Sequence, residues 1–180
     1  MKTSIYIATS LDGFIARKDG ALDWLPGIDS TDTPGGEDYG YHEFMDSIDV
    51  LIMGRKTFET VLSFDTDWPY GNKRMVILSS QPVSIPSDLS DRVESSAMNP
   101  IKLIEKLSAD GFQHAYIDGG ITIQSFLNAG LIDELIITRV PVLIGSGISL
   151  FGTLEADIRL QHLQTQSYPN GLVQSRYRRL

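Results

Sequence analysis

The chain has 180 residues, enough for one substantial core and short for two independent ones. With 42% hydrophobic and 21% charged residues and no cysteine, it is too apolar for wholesale disorder, and disulfides, thiolate catalysis and cysteine-ligated metals are excluded. A net charge of -8, from 23 acidic against 15 basic residues spread along the chain, argues against a nucleic-acid partner, although helix N-termini and one or two arginines still suffice to hold a phosphorylated cofactor.

Thr3 to Thr9 mixes β-branched and aromatic residues and predicts a central first strand, followed by a tight connection through Leu11-Asp12-Gly13-Phe14-Ile15-Ala16. The N-terminal residues fit neither a secretory leader nor a membrane span, so cytoplasmic residence is expected. Ala21 to Gly40, rich in Pro and Gly, reads as a long functional or mobile surface loop. Tyr41, Phe44, Met45 and Ile48 then mark an amphipathic helix, and Val50 to Met53 a strand apolar enough to be buried on both faces. Phe58, Val61 and Leu62 belong to the next helix; Met75 to Ser79 is a strand stopped at Gln81-Pro82.

Asn99 and Pro100 form a good helix start, with Gly111 as the stop. Ala115 to Asp118 is a strand, Ile121 to Asn128 a helix ended by Gly130, and Leu135 to Thr138 a further strand. Leu160 to Ser167 and Leu172 to Tyr177 predict a closing hairpin, with Asn170-Gly171 supplying the positive backbone angles of its turn. This alternation predicts one α/β domain over residues 1–180, a mostly parallel sheet covered by helices on both faces.

Gly54-Arg55-Lys56-Thr57 follows a buried strand and opens a helix. Gly54 would let a phosphate approach the backbone, where first-turn N–H groups and the Arg55 guanidinium meet its charge. Asp118-Gly119-Gly120 offers a second such start before Ile121, suited to a pyrophosphate. Each also has a plain reading as a packing turn, with Arg55 a surface charge. Together they point to a phosphorylated ligand at the carboxyl ends of the strands.

Ser10 to Ala16, Met53 to Glu59, Ile77 to Pro82, Asp118-Gly119-Gly120, Gly130 to Glu134 and Pro141 to Gly147, in this order and spacing, resemble the dihydrofolate-reductase-like superfamily. The resemblance is nearest to the reductase domain of bacterial riboflavin-biosynthesis deaminase-reductases. It implies a three-layer fold with a C-terminal hairpin, and NADPH as cofactor. Ala8 and Ile15 would hold the nicotinamide carboxamide; Gly54, Arg55 and Thr57 the phosphates; Ser79 and Ser80 the adenosine side; and Gly119, Gly120, Ile121 and Thr122 the pyrophosphate. Ile121 stands where many dihydrofolate reductases carry an arginine, which removes one phosphate contact.

On the substrate side, Asp38 falls at the place of the pterin-binding carboxylate, Glu37 beside it, and Thr138 matches the associated threonine. Asp38 would orient proton delivery to the substrate, unless it merely satisfies N–H groups at a helix start. Trp24 and Trp68 would stack on a planar substrate or anchor the core. Asn72 replaces the arginine that grips the folate tail, which points away from folate. His42, His114 and His162 share no metal-ligand spacing, so no metal is expected.

These readings imply an NADPH-dependent reductase of a pteridine- or aminopyrimidine-like heterocycle, of the 5-amino-6-(5-phosphoribosylamino)uracil reductase kind. The alternatives are dihydrofolate reduction and non-catalytic dinucleotide binding. A small heterocyclic substrate is the expected partner, without nucleic acid or membrane, and the resemblance implies a homodimer contacting through the 21–40 loop and the hairpin.

Overall fold

In Val50-Leu51-Ile52-Met53 every side chain is buried, because successive residues of a central strand face opposite layers: Val50 and Ile52 enter one apolar cluster, Leu51 and Met53 the other. The computed structural model describes residues 1–25, 37–64 and 66–180. Its elements in chain order are β1 (Lys2–Ser10), β2 (Phe14–Ala16), α1 (Tyr41–Asp46), β3 (Val50–Gly54), α2 (Arg55–Leu62), β4 (Arg74–Leu78), a 3-10 turn (Ser87–Leu89), β5 (Val93–Ser96), α3 (Pro100–Ala109), β6 (His114–Asp118), α4 (Gly120–Asn128), β7 (Glu134–Val140), β8 (Ile148–Ser149), β9 (Leu160–Ser167) and β10 (Val173–Arg179).

Eight strands form one sheet in the order β5-β4-β3-β6-β1-β7-β10-β9. The pairs from β5 to β7 are parallel, and β10 is antiparallel to both β7 and β9. Helices cover both faces: Phe44 and Met45 of α1 and Phe58 of α2 pack on one, Leu103 and Leu107 of α3 and Ile123, Phe126 and Leu127 of α4 on the other. This is the three-layer architecture expected from the sequence. Asn99 caps α3 as predicted, its Oδ1 accepting from Lys102 N at 3.0 Å. No helix among the described residues is long and apolar enough to cross a membrane.

Three features differ from the sequence expectation. β5 was not foreseen, because only Val93 of its Val-Glu-Ser-Ser is buried; an edge strand needs no apolar alternation. The β2–β8 ribbon pairs only Phe14 with Ser149 and Ala16 with Ile148, too short for a periodic signal. The hairpin turn has a positive φ at Gly171 alone, not at Asn170, because five residues separate the paired Ser167 and Val173, so the turn is longer than the two-residue type. The loop expected over residues 21–40 lies for the most part outside the described residues.

Glu134 opens β7 with its side chain buried, between Lys2 Nζ at 2.7 Å and the donating Nε of Arg176. Burial pushes its carboxyl up, but the Arg176 and Lys2 hydrogen bonds outweigh this and hold it below the ordinary value of 4.5. A depressed carboxylate stabilises the fold above its unfolded value and loses that contribution as pH falls through the folded one. Both cations are half-exposed, so Glu134→Gln is expected to cost only about 1 kcal/mol at neutral pH. In urea titrations that gap should close as the pH falls below the ordinary carboxylate range; a gap constant with pH would show that the charge is idle.

Candidate functional site

The parallel strands β4, β3, β6 and β1 end side by side, so Ser79, Gly54, Gly119 and Ala8 to Ser10 lie along one rim. Three inter-strand spacings make that rim about 14 Å long. The two glycine helix starts meet at its centre. A Cβ on Gly54 would stand 3.0 Å from Thr122 Oγ1, and a Cβ on Gly119 would stand 2.3 Å from Thr57 Oγ1. Each helix start therefore packs its threonine against the other's glycine.

Gly119 has φ +88, which only glycine adopts without strain. Gly120 is closed on its far side: a Cβ there would lie 2.9 Å from Ile15 Cδ1 and 3.4 Å from Ile148 Cγ2. Ile15 is held in place by the turn before it. Ser10 Oγ donates to Asp12 Oδ1 at 2.6 Å, and the Asp12 carboxylate accepts from Gly145 N at 2.8 Å, which pins the loop leading to β8. The Ser10 bond first, then the Gly145 and Ile144 N–H groups, hold Asp12 below the usual carboxylate range.

The fold thus brings Ile15, Gly54, Thr57, Gly119, Gly120 and Thr122 into one strip. Arg55 stands at its edge, half-exposed, and its Nη1 donates to Glu59 Oε1 at 2.7 Å. Ser79 Oγ is occupied by its own turn, donating to Gln81 O at 2.7 Å and accepting from Gln81 N at 3.0 Å, while Ser80 is exposed. The Ile121 side chain is 73% exposed on the first turn of α4, an apolar group at the mouth of the strip.

The residues expected on the substrate side are arranged differently. Asp38 lies before α1, and its carboxylate accepts from Gly40 N at 3.0 Å, His42 N at 2.9 Å and His42 Nδ1 at 2.5 Å. The His42 and Gly40 N–H groups bring it down to about 2. That is the chemistry of a helix-start anion rather than of a proton donor. Thr138 is buried, and its Oγ1 accepts from Gln174 Nε2 at 3.1 Å; the same amide lies 3.1 Å from Tyr39 O and 3.2 Å from Tyr6 OH. Gln174, from the last strand, therefore ties Thr138 to the turn that carries Asp38. Trp24 is a core residue, packed with Val140, Tyr168, Leu172 and Ala8.

A groove of about 380 Å³ opens on this side of the sheet, lined by Tyr6, Tyr39, Phe44, Gln166, Gln174 and Arg176, toward the hairpin rather than the glycine strip. The acid nearest the strip is Asp118, at the end of β6. It shares its face of the strand with Tyr116 and keeps a partly exposed edge. Its hydrogen bond among the described residues comes from Gly119 N at 2.8 Å. Burial pushes it from 3.8 up to about 6, against the lowering effect of that bond. The sequence places Asp118 at the end of a strand and at the head of the Asp118-Gly119-Gly120 helix start, with no separate role for its carboxylate. The signal that could have found it is the period of two, which puts Tyr116 and Asp118 on one face at the ligand end of a central strand.

The profile of the family described as the RibD C-terminal domain matches residues 3–174. A crystal structure of a protein from Shewanella sp. PV-4, named for riboflavin biosynthesis, is 42% identical; the alignment covers 100% of this chain and 99% of that one, with a TM-score of 0.92. The uncharacterized Bacillus subtilis protein YwjB is 34% identical over 168 residues, 93% of this chain and 92% of its own length. Dihydrofolate reductase from Enterococcus faecalis, solved in complex with NADP(H), shares the fold at 15% identity, with a TM-score of 0.64 over 99% of this chain and 96% of that one.

Proposed function

Because this chain belongs to the family of the RibD C-terminal domain and has a dihydrofolate-reductase-like fold, we propose that it is an NADPH-dependent reductase of a small nitrogen heterocycle of the pteridine or aminopyrimidine kind. The observation that carries the reading is the interlocked pair of helix starts, with Gly54 against Thr122 and Gly119 against Thr57. Glycine at these positions lets a pyrophosphate approach the first-turn backbone N–H groups of α2 and α4, while Gly119 N–H itself is given to Asp118 Oδ1. The bound cofactor would supply the hydride.

In this reading Gly54, Arg55, Thr57, Gly119, Gly120, Ile121 and Thr122 hold the phosphates, Ser79 and Ser80 line the adenosine side, and Ala8 and Ile15 orient the nicotinamide. Asp38 and Thr138 shape the substrate side through the Gln174 network rather than by delivering a proton. Asn72, whose Oδ1 accepts from Arg92 at 2.7 Å, supports a substrate other than folate.

Titration of the purified chain with NADPH and NADH tests this. NADPH is expected to bind in the micromolar range. Arg55→Ala should weaken it by about five- to tenfold, a modest effect because Arg55 is half-exposed and already paired with Glu59. Failure of both dinucleotides to bind at tens of micromolar would remove the cofactor assignment, and oxidation of NADPH by dihydrofolate at useful rates would move the substrate to folate.

A further inference from the structure

The first N–H groups of a helix have no partner within it. At α1 and α3 the chain supplies one: the Asp38 carboxylate accepts from His42 N at 2.9 Å, and Asn99 Oδ1 from Lys102 N at 3.0 Å. The starts of α2 and α4, which meet in the glycine strip, have neither a side-chain cap nor an acid in the first turn. In α2 the charge is reversed, because Arg55 and Lys56 put cations at the positive end of the helix dipole, where anions are favoured. That arrangement is unfavourable in the empty protein and becomes favourable when an anion lies against the first turn.

The chain provides a stand-in anion. Glu59 lies one turn along α2, and its Oε1 accepts from Arg55 Nη1 at 2.7 Å. Among the described residues no other acid is paired with Arg55. Helix stability does not account for the pair: at this spacing the acid is better placed N-terminal to the base, and here the order is the opposite. With the two side chains 37% and 52% exposed, the pair also adds little to the fold. It uses a single N–H of the guanidinium, so the rest of the fork is open to a phosphate, which meets a pair of cancelling charges in place of a free cation.

Arg55 opens α2, the crossover from β3 to β4, and so stands toward the β4 end of the strip, where the proposed reading puts the adenosine side. The phosphate that separates NADPH from NADH is carried on the adenosine ribose. Around that end the chain otherwise offers neutral groups: Ser79 Oγ is taken up by Gln81, Ser80 is an exposed hydroxyl, and Ile121 is apolar at the mouth of the strip. The charge on Arg55 therefore governs what the extra phosphate gains, and Glu59 governs that charge. We infer that Glu59 is a positioning residue that holds Arg55 in the empty protein, competes with the ligand's phosphate for it, and thereby sets how far the chain prefers NADPH over NADH. This role rests on the proposed cofactor reading and names the residue that limits its specificity.

The test is a double-variant cycle read on two ligands. NADPH and NADH are titrated, by nicotinamide fluorescence, into the full chain as wild type, Glu59→Gln, Arg55→Ala and the two combined. In Glu59→Gln, NADPH is expected to bind about three- to fivefold more tightly while NADH changes by less than about 1.5-fold, so that the preference for NADPH at least doubles. With Arg55 already replaced by alanine, adding Glu59→Gln is expected to leave the preference unchanged within about 1.5-fold, because Glu59 acts through the guanidinium. A purely structural role for the pair would move both ligands alike. A preference that stays the same or falls in Glu59→Gln, or that rises equally without Arg55, would overturn the role of Glu59 while the cofactor assignment stands; binding of neither dinucleotide would remove both.

Discussion

Gly119→Ala is expected to lower the stability of the cofactor-free protein by about 3–5 kcal/mol, from two separable causes. With φ +88 and ψ 134, an alanine would sit in a backbone region open essentially to glycine, at a cost of about 1–3 kcal/mol. Its Cβ would also stand 2.3 Å from Thr57 Oγ1, and Thr57 belongs to the first turn of α2, where a β-branched side chain has little rotamer freedom. The clash therefore has to be relieved by moving one helix start against the other.

Adding Thr57→Ala separates the two causes. It removes Oγ1 and Cγ2, leaving the Thr57 Cβ at 3.3 Å, so the double variant should recover about half of the lost stability and keep the backbone share. NADPH affinity should fall by at least about tenfold in both variants, because the Gly119 peptide is displaced in each and Thr57 itself is lost in the second. Thermal melts without cofactor, read beside NADPH titrations, check this. A Gly119→Ala protein that melts and binds like the wild type would mean that the interlocked helix starts are neither strained nor part of the cofactor site.

What the sequence could disclose here follows from how far each signal reaches. Val50 to Met53 declared itself because a strand buried on both faces must be apolar throughout, and Asn99-Pro100 because a helix start is solved within a few residues. Gly54 and Gly119 were each visible as a glycine before a helix. Their interlock was not, since it depends on β3 and β6 being neighbours in the sheet, a relation spanning more than sixty residues. The β2–β8 ribbon was hidden for the same reason: what fixes it is the Asp12 carboxylate gathering N–H groups of Ile144 and Gly145.

Asp38 shows the opposite case, where a local pattern carried two meanings. An acid at a helix entrance serves a substrate or the helix, and only the Gly40 and His42 contacts show that its oxygens are already taken. The carboxylate of Asp118 drew no separate role because its burial comes from the place of β6 between β3 and β1, strands that are remote from it in sequence.

Asp118→Asn is expected to make the protein more stable at pH 8 by up to about 3 kcal/mol, while leaving it unchanged at pH below the ordinary carboxylate value. Burial raises this carboxyl from 3.8 to about 6 in the folded state. Between those values the folded chain holds a proton that the unfolded chain has released, so stability falls as pH rises through the interval and reaches its full deficit above about pH 6. About two pH units correspond to about 3 kcal/mol, an upper bound because the carboxylate keeps a partly exposed edge. Asparagine never ionises and avoids the whole cost. In a chain of 180 residues the gain would raise the melting temperature by up to about 6–12 °C at pH 8. Urea unfolding of both proteins at pH 8 and at pH 3.5 would decide it, and a wild type as stable as the variant at pH 8 would mean that Asp118 is not strained by its surroundings.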